Sequence, residues 1–424
     1  MGGPPDRGDA PVPSFTWVFA VLLSLSLAIR LWLANRHIRH VEAHRARVPA
    51  PFRTSITRAA HRKAADYTVA KTRFGRVTIV LDALLLLGWT LGGGLDLVDQ
   101  TWRAAGFGEL VTGTAFLLSV FLIIGLLDIP ASLYQTFVIE ERFGFNHTTP
   151  VLFFGDLLKH TLLLLALGIP LALAALWLMQ QAGVRWWFYV WLLWSGFTLL
   201  MIWAYPSVIA PLFNKFMPLR NRGLLRRINR LLKRAGFHNR GVFVMDGSRR
   251  SAHGNAYFTG FGRNKRIVFF DTLLKSLRGS EIEAVLAHEL GHFHHHHILK
   301  RLVLLSGLGF LGLALLGWLI DQPWFYQGLG ISTPSNHAGL MLFLLAGPVF
   351  TFFLQPLMAW GSRRHEYQAD AFAARQADTR AMVRALVKLY RENASTLTPD
   401  PLYSAFYDSH PPASLRIAHL QSQS

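Results

Sequence analysis

"LAHELGHFHHHHILKRLVLLSGLGFLGLALLGWLI", residues 286–320, joins two kinds of sequence that are seldom neighbours. Its first twelve residues hold six of the chain's 18 histidines, and two of these, His288 and His292, stand four apart around Glu289. From 303 onward it is an apolar run near the ~20 residues that cross a hydrocarbon core. A metal-binding pattern thus abuts a membrane span, and the rest of the chain decides whether the two belong together.

Composition places the chain in a bilayer. With 52% hydrophobic, 13% aromatic and only 16% charged residues in 424, it is too apolar for a soluble enzyme, whose charged fraction is about a quarter. Stretches at 14–34, 77–97, 109–130, 158–179, 186–207 and 338–359 join 303–322 as seven expected spans. The first reads as an uncleaved span, because Arg30, Arg36 and Arg39 lie at or beyond its far end and no small-residue cleavage site follows. The chain has no cysteine, so any metal must be held by histidine and carboxylates.

The net charge of +19 follows topology. The N-terminus and the loops after spans two, four and six hold only Arg7, Arg103 and Arg185, while almost every other Lys and Arg falls on the opposite side. The positive-inside rule then puts the N-terminus outside and the C-terminus in the cytoplasm. The charge speaks for anionic lipid contact rather than nucleic acid. An excess of Arg (34) over Lys (9), with Ala/Leu richness, suggests a high-GC bacterial genome and hence an inner membrane; in a eukaryote the expectation would be the endoplasmic reticulum.

Four regions follow: 1–217 with spans one to five, a polar region 218–300, spans six and seven in 301–360, and a second polar region 361–424. The hairpin of the last two spans returns the chain to the same side, so the two polar regions can build one site. Ser280 and Glu283 have capping-box spacing, which predicts a helix from about 281. On it His288 and His292 face the same way one turn apart and can grip one zinc, with Glu289 rotated about 100° as general base toward water whose pKa zinc lowers to ~7. In "SRRHEYQADAFAARQ" (362–376), Glu366 and Asp370 repeat the four-residue spacing. Alone that would be a solvated helix face; after an HExxH helix it offers Glu366 as third ligand and Asp370 as hydrogen-bond partner of a ligand imidazole. Two histidines and a glutamate leave a fourth position open, as catalytic zinc requires.

"NAYFTGF" (255–261) and "RIVFFD" (266–271) flank "GRNK" and predict a hairpin whose edge strand can hold an extended peptide. Asn255, after Gly254, reads by itself as a turn-former. His410 precedes two prolines in a rigid loop, where an imidazole can stabilise an oxyanion. His294, His295 and His296 read as exposed side chains that bind metal loosely. Asp82 and Asp128 fall within spans and imply a wet interior.

"TFVIEERFGFN" (136–146), "YPSVIAPLFNKFMPL" (205–219), "HGNAYFTGFGRNKRIVFFDTLL" (253–274), "HELGH", "SRRHEYQADAFA" and "SHPP" (409–412), in this order, resemble the CAAX prenyl protease type 1 family of integral-membrane zinc endopeptidases over nearly the whole chain. The resemblance implies an all-α membrane protein, seven tilted helices forming a barrel around a water-filled chamber, with a cytoplasmic-side zinc protease region containing a small β-hairpin. It implies one zinc per chain on His288, His292 and Glu366, Glu289 as general base, Asn255 with Ala256 as substrate contacts, and His410 as transition-state stabiliser. "HFHHHH" and "NHTT" depart from the family's pattern and bear on substrate choice rather than on ligands. The implied activity is cleavage near the C-terminus of peptides or membrane-associated proteins, prenylated CAAX-type ones included. Two other readings remain open: a quality-control protease with the same site residues, and a zinc transporter or sensor, which would not need Glu289.

Overall fold

The computed structural model describes residues 14–237, 241–259 and 266–422. The N-terminal "MGGPPDRGDAPVP" and the "GRNK" turn lie outside the described residues. Five long helices come first: α1 (Ser14–His44), α2 (Arg58–Trp89), α3 (Glu109–Tyr134), α4 (Pro150–Gln181) and α5 (Trp186–Ala204). The first four outrun the apolar segments because the bilayer limits only the apolar stretch, while a polar turn can carry the i→i−4 ladder onward in water. Starts are set by side-chain caps: Thr57 accepts from Ala60 N–H on α2, and Thr149 from Leu152 N–H on α4. After Trp89 the chain bends by 45° into a short helix, Gly94–Ala104. Among the described residues six helices are long and apolar enough to span, or seven with this bent pair counted as one, matching the seven stretches expected.

Beyond them come β1 (Phe216–Pro218), α6 (Arg222–Arg234), β2 (Val242–Met245), β3 (Ala256–Thr259), β4 (Arg266–Phe270) and α7 (Gly279–His294). The expected hairpin is half of a larger sheet, four strands in the order β1-β2-β4-β3, with β2 and β4 parallel. An isolated two-stranded hairpin is marginal in water. Here β2 and β4 bury Val242, Ile267 and Phe269 against Leu224, Ile228 and Leu231 of α6 and Ile282 and Leu286 of α7, which supplies the missing core. β3 stays at the sheet's edge.

The cap of α7 also differs from expectation. Helix hydrogen bonding starts at Gly279, and Glu281 reaches back to accept from Arg278 N–H at 2.7 Å while Lys388 meets it at 2.6 Å. Glu283 turns outward to Arg227 and Arg234. The glutamate two residues nearer the helix start wins because it alone reaches the first free N–H.

The chain closes with α8 (His297–Leu319), α9 (Asn336–Thr351), α10 (Gln355–Gln376), α11 (Thr379–Glu392), α12 (Pro401–Tyr407) and α13 (Ala413–Ser422). α9 runs through a single 3₁₀ turn into α10, a rod of 41 residues. At 1.5 Å per residue it is ~60 Å long, about twice the hydrocarbon thickness, so about half of it projects beyond the span. α7 hands over to α8 at His296, whose left-handed φ of 55° breaks the helix. Both helices that carry candidate ligands are therefore anchored by spans.

Candidate metal centre

α7 crosses α10 at Gly291, where an added Cβ would come within 2.8 Å of the Ala369 Cα. Only glycine allows backbones so close. The contact brings His288 and His292 of α7 up to Glu366 of α10. The three side chains close a triangle of short contacts that uses both carboxylate oxygens: His288 Nε2 to His292 Nε2 3.2 Å, His288 Nε2 to Glu366 Oε2 3.4 Å, and His292 Nε2 to Glu366 Oε1 3.3 Å. Ligands at 2.0–2.1 Å from a tetrahedral zinc are about 3.3 Å apart. Glu366 Oε2 is buried and has no hydrogen-bond partner. The donor set and its spacing fit a zinc ion.

The imidazoles are oriented from behind. His288 Nδ1 lies 2.8 Å from Asp370 Oδ1, so this nitrogen carries the proton and Nε2 keeps its lone pair for metal. Asp370 is itself held by Arg416 of α13 in a two-pronged pair of 2.8 and 2.6 Å, wholly buried. Burial alone would lower the Arg416 pKa, but the Asp370 carboxylate overrides it and raises it. The second histidine has its own chain: His297 donates from Nε2 to Gln368 Oε1 at 2.8 Å, leaving His297 Nδ1 to accept from His292 Nδ1–H at 3.0 Å. His292 Nε2 is thereby also left with a lone pair. Sequence reasoning assigned no role to Arg416 or Gln368 and left His297 without one; His294 and His296 are exposed as expected, but His295 is half-buried and His297 is buried.

Glu289 is half-buried beside the triangle, and burial pushes its carboxyl pKa up while the two imidazoles oppose the shift. His410, in the loop before α13, places Nε2 3.3 Å from Glu366 Oε1 and holds Ser409 Oγ at 3.0 Å through Nδ1. Burial lowers its pKa, with Glu366 pulling the other way. Asn255 stands at the start of β3, where its carbonyl accepts from Phe270 N–H and its side chain from Ala256 N–H. In the antiparallel ladder that bond turns the N–H and C=O of Ala256 and Phe258 toward the free edge. Phe258 packs on Phe293, one residue past His292, so the edge runs beside the metal helix. Asp82 faces an interior cavity with Arg30, and Asp128 accepts from Ser132.

Comparisons with known proteins agree with this geometry. Residues 37–215 match the model of the CAAX prenyl protease N-terminal domain with five membrane helices, and residues 218–424 that of peptidase family M48. The chain is 36% identical over 362 residues to the CAAX prenyl protease 1 homolog of Arabidopsis thaliana, covering 82% of this chain and 83% of the relative. It is 30% identical over 467 residues to that of Homo sapiens, covering 97% of each. The crystal structure of S. mikatae Ste24p superposes with a TM-score of 0.89 at 30% identity, covering 98% of this chain and 100% of that one.

Proposed function

We infer the function from the family: the chain belongs to peptidase family M48, with the N-terminal domain of its CAAX prenyl proteases, and is a multi-pass membrane metalloprotease. We propose that it is a zinc endopeptidase that cleaves peptide bonds near the C-terminus of its substrates, prenylated ones included, with its site on the cytoplasmic side. The observation that carries this is the 3.2–3.4 Å triangle of His288, His292 and Glu366, with tautomers fixed from behind.

A zinc held there would supply Lewis-acid polarisation of the scissile carbonyl and acidify a water. The chain's own groups would do the rest. The edge-facing N–H of Phe258 and the carbonyls of Ala256 and Phe258 hydrogen-bond an extended peptide as an added strand, and Asn255, whose side chain holds the Ala256 N–H, fixes where that edge begins. Glu289 takes the proton from the attacking water and delivers it to the leaving amine. Its burial raises the carboxyl pKa, which makes the carboxylate a stronger base toward that water than an exposed one would be. The His410 imidazole donates to the carbonyl oxygen as charge develops on it.

The test is a pair of variants of the full-length protein. Glu289→Gln should keep about one zinc per chain and lose ~10²- to 10⁴-fold or more in cleavage rate. His288→Ala should lose the metal itself. Full activity in Glu289→Gln would end this mechanism, and metal flux through liposomes unaffected by it would favour transport.

A further inference from the structure

Near the candidate metal centre, where α8 and α10 leave their apolar spans, a cavity of about 610 Å³ opens between the two helices. Lys300 of α8 and Trp360, Arg364 and His365 of α10 line it, and its wall holds no carboxylate. Its height in the membrane follows from the sequence. The apolar run of α8 begins at 303 and that of the α9–α10 rod ends at 359. At 1.5 Å per residue, Lys300 stands about 4.5 Å outside the hydrocarbon, Trp360 about 1.5 Å and Arg364 about 7.5 Å. The headgroup layer is about 5–7.5 Å thick on each face, so the groove lies at the level of the lipid phosphates.

A lone cation at a helix end needs no partner, because its head reaches water. Two cations from different helices that face one groove repel each other, and no acid separates them here. Among the described residues neither Lys300 nor Arg364 has a carboxylate within 4.0 Å. Arg364 lies over the Trp360 ring at 4.4 Å, which holds the guanidinium at the groove wall. The acid nearest in sequence, Glu366, is buried and turned to His288, His292 and Arg416. His365 stacks on His297 at 4.0 Å and closes the inner wall. Toward the hydrocarbon the same helix faces become apolar: Leu304, one turn on from Lys300, and Leu357, one turn back from Trp360, are both exposed.

We propose that this groove binds an anionic glycerophospholipid, with Lys300 and Arg364 on the phosphate oxygens and the acyl chains along Leu304 and Leu357. Trp360 sits at the interfacial level where its ring is apolar on one side and wet on the other. The Lys/Arg sorting puts the groove in the cytoplasmic leaflet, whose surface is anionic. Because His365 rests on His297, the bound lipid would lie one ring away from the relay behind His292. The site needs only the membrane-spanning fold and does not depend on the peptidase reading.

Full-length protein in neutral detergent is loaded with a fluorescent phosphatidylglycerol, and the label is displaced with unlabelled phosphatidylglycerol, phosphatidylcholine or inorganic phosphate. Phosphatidylglycerol should act about 10- to 100-fold better than phosphatidylcholine, the range of a charge-assisted hydrogen bond. Lys300→Gln with Arg364→Gln should bring that ratio toward one, whereas Lys300→Arg should retain it. Arg226→Gln with Arg230→Gln removes two exposed charges from α6 and should leave the ratio unchanged. Because the readout is a ratio within each protein, a general loss of folding does not imitate it. Equal displacement by the two lipids in the parent would overturn the site, as would a ratio that survives the loss of Lys300 and Arg364. A ratio that falls as far in the α6 variant would mean that net charge alone attracts the lipid, and would overturn it too. Displacement by inorganic phosphate at the concentrations at which phosphatidylglycerol acts would assign the groove to a free anion and overturn the lipid.

Discussion

The chain contains two buried His–Asp–Arg clusters that look alike in composition and differ in what they can do. At the candidate metal centre, Asp370 stands 2.8 Å from His288 Nδ1 and is gripped by Arg416. At the far end of the spans, Asp99 stands 2.6 Å from His337 Nε2 and is met by Arg103 at 2.8 Å. The difference is the second ring nitrogen. That of His288 points at His292 and Glu366 across open ligand spacing. That of His337 abuts α3, where a Cβ on Gly113 would be 2.9 Å from Nδ1, leaving no room for a ligand. A carboxylate behind a histidine therefore does not make a metal ligand; a free lone pair in front of it does.

The comparison breaks most visibly at Arg416. Its side chain is 7% exposed against 35% for Arg103, so water cannot replace it. Arg416→Met leaves the Asp370 carboxylate buried beside His288 without its cation, which costs about 3–5 kcal/mol of stability. Zinc affinity should also fall ~10- to 100-fold as His288 loses its orientation. Chemical denaturation and competitive chelator titration read the two effects separately. A variant that binds zinc as the parent does would mean that Asp370 needs no anchor.

A narrower test addresses the other ligand. Gln368→Leu removes the acceptor that fixes the His297 tautomer, and with it the direction of the His297–His292 hydrogen bond. Zinc affinity should fall about 10-fold, the low end for an outer partner, with a stability loss of about 1–3 kcal/mol for the stranded N–H. Gln368→Glu keeps an acceptor and should hold the affinity near the parent's. If both substitutions weaken zinc equally, the relay is packing and not tautomer control.

What the sequence made legible follows the range of each interaction. His288, His292 and Glu289 stand out because one helical turn converts their spacing into geometry, and Glu366 with Asp370 repeats the device on a second helix. Arg416 lies 46 residues from Asp370, and no local period connects them. His297 hides in a run of histidines, and its distinction, a helix break at His296 that turns it inward, is a property of the fold. The spans were legible from hydropathy, but their polar extensions were not, because the ladder continues wherever side chains permit. β1 has three residues, too few for a two-residue period to register, so the sheet looked like a hairpin. The start of α7 was misread because two glutamates, Glu281 and Glu283, offered rival registers and the Lys388 contact on a distant helix favours the first.

The smallest effect is expected at the second cluster, and it sharpens the comparison most. His337→Leu removes the donor to Asp99 but leaves Arg103 in place, and Arg103 is exposed enough for water to reach the pair. The loss should be about 1–3 kcal/mol of stability, as for one buried polar group left short of a partner. Zinc content and cleavage per folded molecule should match the parent's, because His337 sits at the opposite end of the membrane-crossing helices from the His288 triangle. Thermal unfolding of both proteins, beside zinc analysis of the folded fraction, measures the two quantities on one preparation. A loss of zinc in His337→Leu larger than its loss of folded protein would mean that the far cluster communicates with the metal centre, and the distinction between a structural and a ligand histidine would then have to be drawn on grounds other than the free nitrogen.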